Sequence, residues 1–111
     1  TTNSTTTINT TVNTNVDDVD FEISATEYAF SLTSITVEPG ETIRVRITNN
    51  GSHEHDFVID ALDIQTAELD SGESEVVTII APAAEGAFEY YCSISDHRAR
   101  GMTGQLMVQA L

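Results

Sequence analysis

A chain of 111 residues and 12.0 kDa holds one domain, and 40% apolar content with three Tyr, four Phe and no Trp suits a core of modest size. Eighteen acidic residues against four Arg and no Lys give a formal net charge of -14, which makes nucleic acid and anionic membranes poor partners. No apolar run approaches the ~18 residues of a membrane span, and one cysteine forbids an internal disulfide, so Cys92 is buried filler, a reactive thiol or a metal ligand.

The first sixteen residues contain thirteen Thr, Asn or Ser and no charge. So little apolar surface cannot offset the entropy of ordering, and residues 1–17 are expected to form a flexible linker ahead of a domain over 18–111. Such a linker suits a tether to an anchor that lies outside the sequence. Asn3, Asn9 and Asn50 fit the N-glycosylation pattern, which arises easily in Thr/Asn-rich text. The absence of Lys beside so much acid suits a salt-rich habitat.

From Asp17 the pattern takes period two. Val19, Phe21, Ile23 and Ala25 alternate with polar residues, as a half-buried strand requires. Ile35 and Val37 lead into Glu38-Pro39-Gly40-Glu41, where Pro39 and Gly40 suit the two central positions of a turn. Ile43, Val45 and Ile47 alternate up to a turn signal at Asn49-Asn50-Gly51, and His55, Phe57 and Ile59 make another set. A short helical turn is expected over 64–69, and strands over 73–80, 87–92 and 104–110 complete the pattern. Six or seven short strands at this spacing predict an all-β, antiparallel Greek-key β-sandwich.

The stretch from Tyr90 to Gly104 places Cys92, His97 and Met102 five residues apart on the loop before the last strand. A thiolate, an imidazole and a thioether form a soft donor set that favours copper. A second imidazole has to come from His53 or His55, which lie on one face of an extended segment. Met107, in the last strand, reads as packing or surface.

With these residues in place the sequence resembles the cupredoxin family, small blue copper proteins similar to plastocyanin and halocyanin. The resemblance rests on Ala25-Thr-Glu-Tyr28, on Ile35-Thr-Val-Glu-Pro-Gly-Glu-Thr-Ile43, on Asn50-Gly followed by His55-Asp-Phe-Val58, and on Cys92, His97 and Met102 in order. It implies one copper ion in a mononuclear type 1 site, with His55, Cys92 and His97 as in-plane ligands, Met102 as the weak axial one, and one electron exchanged between Cu(I) and Cu(II). His53 is then expected on the surface, and Asp56 and Ser93 are expected to link the two ligand loops by hydrogen bonds. Where the family often has Pro-Gly before the histidine, this chain has Ser95-Asp96, which predicts a softer loop.

The resemblance implies an electron carrier, not an enzyme, that meets redox partner proteins around His97. Arg98 and Arg100, half of all the positive charge, are expected to form a basic spot there that orients an anionic partner surface. Multicopper oxidases and dinuclear copper subunits need more than three His or a second Cys. A copper carrier or buffer without electron transfer, and a metal-free immunoglobulin-like adhesion module, are the alternatives. A monomer is expected from the charge, and an extracytoplasmic location from the linker.

Overall fold

Residues 18–111 are described in the computed structural model, so the linker expected over 1–17 and the acceptor sites at Asn3 and Asn9 lie outside the described residues. Among the described residues nine strands run in chain order: β1 (Phe21–Thr26), β2 (Ala29–Phe30), β3 (Ser34–Val37), β4 (Thr42–Asn49), β5 (Val58–Ile59), β6 (Ile64–Gln65), β7 (Ser74–Ile80), β8 (Gly86–Tyr91) and β9 (Thr103–Val108). They form a four-stranded sheet in the order β2-β1-β4-β7 and a five-stranded sheet in the order β3-β9-β8-β5-β6. β4 shows why the sheets face each other. Its alternation buries Ile43, Val45 and Ile47 and leaves Arg44 and Arg46 partly exposed, so one side of the sheet must be covered.

The cover comes from the second sheet, whose Ile35, Val37, Leu106 and Val108 join the same apolar cluster. At its centre three aromatic rings meet, with Phe57 4.9 Å from Tyr90 and Phe30 5.7 Å from each. Gly104 is required beside them, because a Cβ there would lie 2.3 Å from the Tyr90 ring. The turn before β4 has the expected form: Glu41 N–H donates to the Glu38 carbonyl and Gly40 takes φ 78°.

Two expectations change. The sandwich is mixed and not wholly antiparallel, since β1 runs parallel to β4 and β3 parallel to β9. Side-chain alternation has period two in either direction, so it reports which face is buried and nothing about the sense of the neighbour. Between β1 and β4 the chain crosses to the other sheet to build β3, which brings it back in the same sense. The helical turn expected over 64–69 is absent: a single 3-10 turn occupies Asp60–Leu62, and β6 and the Leu69 backbone bridge come after it in extended form.

Tyr90 is fully buried, donates its hydroxyl to the Leu32 carbonyl at 2.6 Å, and has its phenol pushed up to about 12 by burial. The proton is held more tightly in the folded chain than in the unfolded one, where the value is 10.0. Its contribution is therefore intact below pH 10 and lost as pH rises through about 12. Urea midpoints should fall across that window, and Tyr90→Phe should flatten the fall while costing about 1–2 kcal/mol at neutral pH through the unpaired Leu32 carbonyl.

Candidate metal centre

All four residues expected at the centre lie at one end of the sandwich. His55 sits just before β5 in a backbone bridge with Leu69, each N–H donating to the other's carbonyl at 3.1 and 2.8 Å. Cys92 comes directly after β8, Met102 precedes β9, and His97 lies on the loop between them. That loop is wound by hydrogen bonds from His97 N–H to Ile94, from Arg100 N–H to Asp96, and from Met102 N–H to His97. Gly101, with φ 104°, permits the reversal that ends it. Ser95 stands in the left-handed region at φ 50°. Cys92 N–H donates to the Met102 carbonyl, so the ends of the loop are tied as well.

Three donors converge. Cys92 Sγ lies 3.8 Å from His55 Nδ1 and 3.5 Å from His97 Nδ1, and the three donor atoms fit within 4.8 Å. Metal–sulfur and metal–nitrogen bonds of about 2.3 and 2.0 Å in a trigonal arrangement require sulfur and nitrogen about 3.7 Å apart. The separations found match that spacing, so the donor set fits one soft transition metal ion. Met102 is buried at 0% exposure beside it, with its peptide bonded to both Cys92 and His97.

Burial sets the protonation of the donors. It pushes the Cys92 thiol up, aided by the nearby Asp56 carboxylate, so a metal has to displace that proton to obtain the thiolate. Burial, with His55 next to it, pulls His97 down and keeps its ring neutral with a lone pair to offer. His55 Nε2 lies 2.7 Å from a Glu27 carboxylate oxygen, which only accepts, so Nε2 is the donor in that contact and Nδ1 is the ring nitrogen turned toward the sulfur.

Asp56 joins the two ligand loops, as expected. Its carboxylate accepts from Ser93 N–H at 2.6 Å and from the Ser93 hydroxyl, while its own N–H points at Cys92 Sγ at 3.5 Å. Two further residues are not evident from the sequence. Asn49, whose residue type signals only a turn, is fully buried and donates to the His53 and Leu69 carbonyls while accepting from Gly51 N–H, which shapes the loop ahead of His55. Glu27 reaches the site from 28 positions away, a separation that leaves no local pattern to find.

His53 is exposed, with its ring 6.3 Å from both Tyr28 and His97, so the expectation that it stays on the surface holds. Tyr28 also packs on His97 at 5.0 Å, and the rings of Tyr28, His53 and His97 line a shallow cleft with Ile94. At the basic spot expected from Arg98 and Arg100, each arginine has an acidic partner. Arg98 pairs with Glu89 and lies over the Tyr91 ring, and Arg100 pairs with Asp96 at 2.9 Å beside the Tyr28 ring. Each guanidinium thus meets a carboxylate supplied by the same acidic surface, in an exposed pair.

Residues 3–108 match the family model described as a cupredoxin-like domain. The chain belongs to the cupredoxin family. Solved cupredoxins agree in fold. A dithionite-reduced auracyanin from the photosynthetic bacterium Roseiflexus castenholzii matches with a TM-score of 0.74 and 26% identity over 81% of this chain and 96% of its own. Auracyanin B gives 0.70 and 25% identity over 89% and 94%, and auracyanin A, a "blue" copper protein from Chloroflexus aurantiacus, gives 0.69 and 26% over 79% and 96%. No curated protein sequence matches significantly.

Asp56→Ala should lower stability by about 1–3 kcal/mol in a denaturant titration of the copper-free protein, because Ser93 N–H loses its acceptor in a half-buried place. A change within experimental error would mean that the link between the loops is incidental.

Proposed function

We propose that this cupredoxin carries one copper ion in a mononuclear type 1 site and passes single electrons between redox partner proteins. The observation that supports it most is the convergence of His55 Nδ1, Cys92 Sγ and His97 Nδ1 at metal-ligand spacing in the cupredoxin frame. Those three would hold the ion, and Met102, buried on the same loop, would add a weaker thioether ligand. Bound copper would supply the one-electron Cu(I)/Cu(II) couple. The protein's own part is to keep the donors in place through the change of oxidation state, so that little reorganisation opposes the electron.

Several features favour a carrier over the alternatives. His55 and Cys92 are wholly buried and His97 is 5% exposed, which suits a retained ion better than the open site of a buffer or delivery protein. An adhesion module would leave a buried thiol between two imidazoles without a purpose. No enzymatic step is part of the reading. The electron is expected to cross at the cleft beside His97, the ligand with a remaining edge to solvent. Arg98 and Arg100, being paired, would define the docking geometry more than a net charge, and a body of net charge -14 would steer a partner with a basic face. Among the described residues no helix is long and apolar enough to cross a membrane. An extracytoplasmic location, with residues 1–17 as a tether, belongs to this reading on the uncharged Thr/Asn-rich composition of that segment.

Titrating purified protein with Cu(II) tests the reading. One equivalent should produce an intense thiolate-to-copper charge-transfer band in the visible spectrum, reversibly bleached by ascorbate and absent from Cys92→Ser. A colourless protein that leaves added copper free would overturn it.

A further inference from the structure

The β1–β2 hairpin sends one carboxylate across to the loop that carries His55. Glu27 accepts from His55 Nε2–H at 2.7 Å, from Ser52 N–H at 2.9 and 3.1 Å, and from His53 N–H at 3.2 Å. Its side chain is 24% exposed and that of His55 is 0%. The approach depends on a glycine: a Cβ on Gly51 would lie 2.1 Å from a Glu27 carboxylate oxygen. Hence a gap in the loop, two backbone donors and an imidazole all converge on one anionic group.

From this arrangement we infer that Glu27 is a positioning residue for the copper centre, fixing the His55 ring with Nδ1 toward the metal and placing a full negative charge behind that ligand. The inference rests on the copper reading above. The reasoning is electrostatic. A neutral imidazole whose far N–H is bonded to a carboxylate is a more basic donor than one bonded to water, and such outer partners affect metal affinity by roughly 10–100-fold. The negative charge stabilises the ion of higher charge more, and it does so across a ring shielded from solvent. Glu27 therefore favours Cu(II) over Cu(I) and lowers the reduction potential. Arg98 and Arg100 do not offset it, since each is engaged by its own carboxylate.

Two variants separate charge from position. Glu27→Gln retains an oxygen that can accept from His55 Nε2–H and removes the charge. Gly51→Ala retains the charge and displaces the carboxylate, which sits at the end of a flexible side chain. Glu27→Gln should keep the visible band and lower the ratio of Cu(II) to Cu(I) affinity about tenfold, raising the midpoint by about 59 mV in redox titration. Gly51→Ala should shift it in the same direction. A third readout needs no metal: nitrogen-15 NMR of the copper-free protein at mildly alkaline pH should find His55 protonated at Nε2, and Glu27→Ala should yield a mixture of tautomers. Midpoints unchanged in both Glu27→Gln and Gly51→Ala, with the band retained, would overturn the inference and leave the copper reading standing. If the parent protein took up no copper, the copper reading would fail by itself, and an unchanged His55 tautomer in Glu27→Ala would then overturn the positioning role separately.

Discussion

Asp56 joins the two halves of the centre, and the rest of the site depends on that join. His55 lies on a loop leaving the four-stranded sheet and Cys92 at the end of a strand in the five-stranded sheet, 37 positions further on. Packing brings the strands together, and a hydrogen bond adds the directional constraint that apolar contact lacks. One residue supplies both requirements: the Asp56 carboxylate holds Ser93, and its N–H points at the sulfur. Asn49 does similar work ahead of His55 by gathering the His53 and Leu69 carbonyls. Every donor is thus placed by contacts that the polypeptide makes with itself.

Much of this is legible from the residues. The period-two pattern identifies the buried faces, and Ile43, Val45, Ile47, Leu106 and Val108 are all buried. Cys92, His97 and Met102 are readable because a single loop carries them, so sequence spacing and spatial spacing coincide. The second imidazole is harder. His53 and His55 share a face in an ideal strand, yet the backbone ahead of His55 bends around Asn49, leaving His53 exposed and His55 buried.

Strand direction is not legible, and neither is the role of Glu27, because both depend on which distant segment lies alongside. Alternation carries no direction, so the parallel β1–β4 and β3–β9 pairs look the same as antiparallel ones. The stretch from Ile64 to Leu69 is ambiguous in the sequence because Ile64, Ala67 and Leu69 do not keep the strict alternation of a strand. There the backbone pairs decide, Ile64 with Ile59 and Leu69 with His55. The arginines make a similar point: in so acidic a chain a cation near the mouth of the site finds a carboxylate close by, and counting charges along the sequence misses the pairing.

For function the consequence is a centre held by its surroundings. Donors fixed from several directions suit electron transfer, because an ion whose ligands scarcely move exchanges electrons with little reorganisation. The central claim is that the polypeptide builds this geometry and the copper occupies it. Crystal structures of the copper-free and copper-loaded protein test that claim most directly. The account predicts that His55 Nδ1, Cys92 Sγ and His97 Nδ1 superpose within about 0.5 Å between the two. A copper-free form in which the loop from Cys92 to Met102 refolds, or in which His55 leaves Glu27, would contradict it.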